Sequence, residues 1–458
     1  MVLSGDPDVR LAHSRDASGV QMLPDTVARA GSAADVVEVV RNAIATGSPV
    51  TAAGSQTSMT AASITDHGTL LSLAAMKRII DVDPVNRTAR VEPGLTIGEL
   101  NGVLSESGLQ FAPDPTSEHD ATIGGAIACN ASGARSLRYG ATRRHVRGVS
   151  VVHADAEIAC YRRTSIEKNT VGYAFAQDPI DWFIGSEGTL GIIVEAELSL
   201  VPVPVSPIGL AIPFASSESA LGFVVAARRQ LDERTGRQAR CLEYFDREAV
   251  TLAGAASGRP WSNAEAALVY LEDDAAEGSL DSALDEWLEL GEKHDAVTES
   301  IRVFDGVQPL RDARVMRHAV PAGMNERGES FRPHGGRKVS TDWAVPYWRL
   351  GEALAISREA CALHGAPGPV TYGHAGNGHP HQNFLAENEE MLGRIYAAVE
   401  DTLRAIVAIG GTVSAEHGLG KLKRDWLNLQ LRPREIAAMR ALKNSLDPRG
   451  LLAPGNIL

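Results

Sequence analysis

Residues 113–140 read PDPTSEHDATIGGAIACNASGARSLRYG, a run dominated by Gly, Ala, Ser, Thr and Asn that offers no stripe for an amphipathic helix. Residues this small let backbone amides come close to a ligand, so the run reads as a binding surface. Two similar segments flank it, residues 52–63 and Gly185-Ser186-Glu187-Gly188-Thr189-Leu190-Gly191. Successive N–H groups in such loops form concave anion sites, and a pyrophosphate needs several of them pointing inward with no side chain in the way. One such loop is ordinary turn structure. Three in the first half of one chain point to a binding site.

Around these loops the pattern is mixed. Ser32-Ala33-Ala34-Asp35 is a capping-box variant, and Val36, Val39, Val40, Ala43 and Ile44 then share one helical face until Gly47. A strand is predicted over 49–53 and another over 88–92; Thr96 and Glu99 open a helix carrying Leu100, Val103 and Leu104 that stops at Gly108. Valine-rich strands return over 149–153 and 191–201. The run Pro202-Val203-Pro204-Val205-Ser206-Pro207 then breaks the pattern as a domain edge would. Beyond it strands (about 208–214, 240–245, 266–272, 338–345 and 369–386) alternate with helices (about 217–230, 280–293 and 388–409). This predicts an antiparallel sheet with helices on one face. The turn-rich tail, residues 446–455, is expected to pack back on the first domain. The fold class is α+β, with domains at 1–205, 206–411 and a returning segment at 412–458.

The chain has 458 residues, 44% of them apolar and 22% charged, so it can bury two or three cores and is not disordered. Its net charge of −13 disfavours nucleic acid as a partner. No run of about 18 apolar residues is present, and the opening Met1-Val2-Leu3-Ser4-Gly5-Asp6 lacks the order of a signal peptide. A cytoplasmic protein is expected, at most peripheral to a membrane, with a homodimer compatible. Cys129, Cys160, Cys241 and Cys361 have no C-x-x-C spacing and read as buried free thiols. The absence of a G-x-G-x-x-G after a strand, of a P-loop, of a G-x-S-x-G elbow and of an H-E-x-x-H helix disfavours the Rossmann, nucleotidase, hydrolase and zincin classes.

The densest chemistry lies in Tyr372-Gly373-His374-Ala375-Gly376-Asn377-Gly378-His379-Pro380-His381-Gln382-Asn383-Phe384. Two strand-like arms flank a Gly-Asn-Gly turn that can fold His374 back toward His381, while His379 and His381 face one side of a strand. Neutral imidazoles suit zinc, manganese or iron, and a tight site also needs a carboxylate. Ser414-Ala415-Glu416-His417-Gly418-Leu419-Gly420-Lys421 offers Glu416 for that role, with His417 directed elsewhere on the same reactant.

These segments resemble the flavoproteins of the vanillyl-alcohol oxidase and p-cresol methylhydroxylase class, and within it the FAD-linked D-2-hydroxy acid dehydrogenases. The likeness spans about residues 16–458. It is carried by Ile123-Gly124-Gly125, Asn130-Ala131-Ser132-Gly133 with Tyr139-Gly140, the 185–193 motif and the two histidine motifs. It implies an FAD domain of two subdomains with a cap over it. It further implies that Gly54, Ser55, Gln56, Thr57 and Ser58 hold the pyrophosphate, that Thr116, Ser117, Gly124, Gly125, Ser132 and Gly133 line the FAD, and that Glu187, Gly188 and Ile192 contact its other end. His374, His381 and Glu416 match metal ligands (zinc, manganese or iron) and His417 the catalytic base. Arg317 and Lys338 match groups receiving the substrate carboxylate, and Asn383 a polar contact near the metal; from sequence alone Arg317 and Lys338 equally fit solvated surface charge.

The chain departs from the family pattern at Ala53-Gly54-Ser55-Gln56, where consecutive glycines are common, at Asn377 and His379, where Asp and Asn are usual, and at Ala453, where Asn is common. No histidine or cysteine in the pyrophosphate loop can tether a flavin, so noncovalent FAD is expected. The resemblance implies oxidation of a D-2-hydroxy acid, D-lactate first and glycolate or D-2-hydroxyglutarate next, with electrons passing to a quinone, a cytochrome or an electron-transfer flavoprotein. The alternative is a flavin-dependent transferase similar to the alkyl-glycerone phosphate synthases.

Overall fold

The computed structural model describes residues 2–256, 258, 260–261, 265–274 and 279–458. The predicted domains at 1–205 and 206–411 therefore each include positions outside the described residues. The chain forms two compact units: Met1–Gly133, Gly140–Val203 and Glu416–Leu458 make the first, and Ala134–Tyr139 with Pro204–Ala415 make the second.

The first unit holds two larger sheets and a two-stranded one that pairs Leu109–Gln110 with Val201–Pro202. One has the order Val2–Ser4, Thr26–Arg29, Thr69–Ser72, Val50–Ala53, with the first pairing antiparallel and the other two parallel. Ser32 caps the helix Ala33–Thr46 by accepting from Asp35 N, and Gly47 closes it in the left-handed conformation. Its buried face (Val36, Val39, Val40, Ala43) packs on Val50, Leu71, Ile192 and Leu452. The second sheet is antiparallel, in the order Ile79–Asp83, Thr88–Val91, Ile192–Ser199, Val146–Val152, Ile158–Arg162. The Thr96 and Glu99 capping box starts the helix Ile97–Leu104, of which Ile97, Leu100 and Leu104 are buried. Val103 is 50% exposed, so the predicted apolar face is narrower than its residue types suggested.

The glycine-rich run contains a helix after all. Ile123–Cys129 is capped by Thr122 and closed by Asn130 in the left-handed conformation, and Ile123 and Ile127 enter the core. Small residues allow this helix to lie close to its neighbours, a packing role that a search for a wide apolar stripe does not detect. The tail returns as expected: Val50 N donates to Leu451 O and Ala453 N to Val50 O, both at 2.8 Å. Asp447, buried, accepts from Leu451 N (2.9 Å) and Leu452 N (2.8 Å).

The second unit is built on a seven-stranded antiparallel sheet in the order Arg302–Asp305, Pro207–Phe214, Ala267–Asp274, Cys241–Asp246, Val370–His374, His379–Asn388, Gly335–Ser340. Helices cover both faces rather than the single face expected. Ala211, Phe245 and Tyr270 on one side meet Ala313, Met316 and Val320 of the helix Val307–Phe331. On the other side the Tyr244 hydroxyl donates to Ser217 at the start of Ser217–Glu233 (2.9 Å). The discrepancy has a physical origin. Val307–Phe331 contains Pro321, which removes a helical donor, so its sequence reads as broken. Arg247–Ala256, Leu350–His364 and Pro433–Leu446 were likewise unpredicted, and the strand expected over 338–345 ends at Ser340. Of the cysteines, Cys241 and Cys361 are buried, but Cys160 is exposed and Cys129 intermediate, so burial holds for only two of the four. Among the described residues no helix is long and apolar enough to cross a membrane.

Candidate active site

The histidine motif is a hairpin. Val370–His374 pairs with His379–Asn388 in the register Tyr372↔His381 and His374↔His379, so His374, His379, His381 and Tyr372 lie on one face of the sheet. Ring centroids are 4.6 Å apart for His379 and His381, 5.1 Å for His374 and His381, and 5.5 Å for His374 and His379. One nitrogen from each of the three rings lies within 4.8 Å of the other two. His374 and His379 are buried and His381 is half-buried. Three imidazoles converging in this way, two of them buried, fit a divalent cation by the chemistry of the donor set.

The same face carries Asn383, whose Nδ2 donates to the Tyr372 hydroxyl (2.8 Å) and whose Oδ1 accepts from Ser340 (2.6 Å). Lys338, two residues before Ser340 and paired with Leu385, shares this face and donates to Asn325. Burial pulls its ammonium below the ordinary lysine range. Arg317 reaches the histidines from the helix Val307–Phe331, and its Nε lies 2.7 Å from Glu243. Arg317 is thus built into the interior rather than spread on the surface.

Glu243 escaped the sequence reading. It is fully buried, pairs with Arg317 through one oxygen and meets His374 Nδ1 through the other at 2.7 Å. A carboxylate on Nδ1 fixes the ring and its tautomer and leaves Nε2 as the basic nitrogen. Asp342 was missed too; it accepts from Ser414 Oγ at 2.7 Å, and its Oδ1 lies 3.4 Å from His379 Nε2. The signal for Glu243 was its place as the one carboxylate inside Cys241-Leu242-Glu243-Tyr244-Phe245, since a charge in a buried strand needs a partner.

In the first unit, Glu416 and His417 lie in a loop fastened at several points. Ser132 Oγ donates to Glu416 Oε1 (2.9 Å), Cys129 Sγ to Glu416 O (3.3 Å) and Thr60 Oγ1 to His417 O (3.3 Å). Glu187 does not project into open space: it accepts from the amides of Leu419 and Gly420, both at 2.8 Å. Gly418, at φ +71°, is required there, because a Cβ would fall 2.4 Å from Glu187 Oε1. Desolvation raises the Glu187 carboxyl to about 7, with the two amides and Lys421 pulling back the other way. Between the ordinary carboxyl value of 4.5 and about 7, the folded chain holds a proton that the unfolded chain releases. This contribution to stability is therefore full below 4.5 and lost as pH rises through 7. Thermal unfolding across that window should show Glu187→Gln with a flatter pH dependence than the parent; identical slopes would refute the assignment.

The remaining predicted residues divide. Gly54 has a packing reason: its Cβ would fall 2.2 Å from Thr122 Oγ1. Among the described residues no protein acceptor meets the amides of Ser55, Gln56, Thr57 or Ser58, which fits a loop that holds an anion. The Gln56 side chain instead ties down His13 O and Arg15 O, both at 2.9 Å, and Ser58 Oγ accepts from Thr60 N and Ala62 N. Thr116 and Ser117 lie in the turn before Thr122, Gly124 N donates to Pro93 O, Gly125 N to Thr122 Oγ1, and Gly133 ends its segment of the unit. Gly188 follows Glu187 in the same turn, whereas Ile192 is buried in the core of the first sheet pair.

Residues 24–160 match a family described as an FAD binding domain, and residues 210–457 match the C-terminal domain of the FAD linked oxidases, over half of the chain. The chain belongs to the FAD-linked oxidases. This FAD-linked oxidase is 29% identical to the glycolate oxidase subunit GlcD of Bacillus subtilis, covering 98% of this chain and 92% of that one. It is 31% identical to a D-2-hydroxyglutarate dehydrogenase of Xanthomonas citri (95% and 89%) and 30% identical to a D-lactate dehydrogenase of Archaeoglobus fulgidus (90% and 86%). Among solved structures, its fold is similar to that of an alkyldihydroxyacetonephosphate synthase, with a TM-score of 0.73 at 18% identity over 99% of this chain and 83% of the other. As an FAD-linked oxidase the chain is a flavin-dependent oxidoreductase.

Proposed function

We propose that this oxidoreductase converts a D-2-hydroxy acid to the 2-oxo acid, with D-lactate the first substrate to test and glycolate and D-2-hydroxyglutarate the next. The observation that carries the reading is the single sheet face that presents three imidazoles, Asn383 and Lys338 beside Arg317. The names of the relatives at similar identity support the same substrate class.

FAD, bound noncovalently, would supply the hydride acceptor for oxidation at C2. His374, His381 and Glu416 would hold a divalent metal, which would supply positive charge to favour loss of the substrate's hydroxyl proton. The protein's own groups do the rest. Arg317, its guanidinium plane fixed at Nε by Glu243, and the desolvated ammonium of Lys338 bind the substrate carboxylate. Asn383, locked between Tyr372 and Ser340, holds a polar edge beside the imidazoles. His417 takes the hydroxyl proton on a ring nitrogen as C–H cleavage proceeds, a role suited to imidazole near neutral pH. Electrons leave to a quinone, a cytochrome or an electron-transfer flavoprotein.

Anaerobic mixing with each acid tests the reading, since a true substrate bleaches the flavin absorbance and neither L-lactate nor L-2-hydroxyglutarate should do so. His381→Ala should slow this reduction as much as chelator does, and chelator should add nothing further to the variant; additive losses would remove His381 from the metal site. The fold shared with the synthase motivates the transferase reading. A flavin never reduced by any acid, in protein that holds no divalent ion, would favour it.

A further inference from the structure

His379 has no role in the mechanism above, yet it is as buried as His374 and closer to His381 than His374 is. The register places it directly opposite His374, so the hairpin projects the two rings from facing positions and His381 from the next position on the same face. The turn that makes this possible is tight. Ala375–Asn377 is a single 3-10 turn closed by Gly378 at φ +68°, where a Cβ would meet Val345 O at 1.9 Å. The position of the third ring is therefore fixed by backbone geometry and not by a flexible loop. Two buried carboxylates flank the cluster, Glu243 at His374 and Asp342 at His379, and both make a cation more favourable at the rings.

We propose that His379 is a third imidazole ligand, so that the metal centre is nitrogen-rich and selects zinc, cobalt or iron(II) over manganese, magnesium and calcium. The proposal rests on the metal-assisted reading of this site and narrows it. Imidazole is a borderline-soft donor, and each one that replaces an oxygen steepens the preference for later first-row ions over the oxygen-seeking ones. A site with two imidazoles and oxygen donors accommodates manganese well; a site with three favours zinc or cobalt by geometry as well as by ligand type.

The test uses the FAD-loaded protein, stripped of metal with chelator and dialysed, and then titrated separately with zinc and with manganese. Copper(II) bound to the same preparations reports the number of coordinated nitrogens through its electron paramagnetic hyperfine pattern. His379→Asn should weaken zinc by about 10–100-fold or more, the scale on which even outer-shell losses act. It should change manganese affinity little and reduce the nitrogen count from three to two. His379→Gln provides a second side chain of different length, and unchanged flavin content and thermal unfolding show that each variant is folded. Zinc affinity and hyperfine pattern unchanged in both variants would overturn the proposal. A parent protein that binds no divalent ion would overturn it too, even if the acid still reduced the flavin. Three-nitrogen coordination without any acid-dependent bleaching would uphold it while sinking the proposed function.

Discussion

His417→Ala should abolish reduction of the flavin by the substrate acid while leaving FAD bound. General-base catalysis by a positioned side chain is worth about 10²–10⁴-fold, and at least that loss is expected in turnover with an artificial electron acceptor. The flavin should stay because the substitution leaves the main-chain contacts of that loop in place: Thr60 Oγ1 donates to the His417 carbonyl and Glu187 accepts from the two amides that follow Gly418. The measurement is flavin absorbance per protein beside steady-state turnover. Retained turnover would remove His417 as the base; lost flavin would show that its loop supports the cofactor instead.

Glu243→Ala carries the largest expected cost in stability. The carboxylate is fully buried and holds Arg317 Nε and His374 Nδ1, each at 2.7 Å. Removing one partner of a buried pair leaves the other charge uncompensated, at about 3–5 kcal/mol. Denaturant unfolding should show that loss, and metal affinity should fall by about 10–100-fold as the tautomer and orientation of His374 relax. Glu243→Gln keeps the shape and part of the hydrogen bonding, so it should be milder in stability while still weakening metal binding. A change under about 1 kcal/mol in the alanine variant would mean that Arg317 and His374 do not depend on this residue.

The two predictions differ in how much of their basis could be read in the sequence. His374, His379, His381, Glu416 and His417 stand in short glycine-framed runs, because the backbone must turn sharply to present them, and sharp turns leave a residue signature. The hairpin that joins His374 to His381 is encoded within eight residues, so the turn was legible, though the register that sets His374 opposite His379 was not. Glu243 contacts a residue far along the chain, and nothing local marks that pairing. Arg317 sits on a 25-residue helix whose interior proline hid the element, so its surroundings could not be assigned. Glu187 was visible as part of a motif, but its partners at Leu419 and Gly420 come from the other end of the sequence. Local geometry leaves its mark on composition, whereas long-range pairing of single charges does not.

The strand-like contact between Leu452 and Val50 also constrains the order of assembly. The second unit is almost one continuous stretch and can complete its sheet from residues made in succession. The first unit lacks the backbone partners of Val50, and the Leu452 side chain in its core, until residues 451–453 have been made. During synthesis the amino-terminal lobe must therefore wait, partly unsealed, while the second unit is made, which leaves the Val50–Ala53 edge open to aggregation.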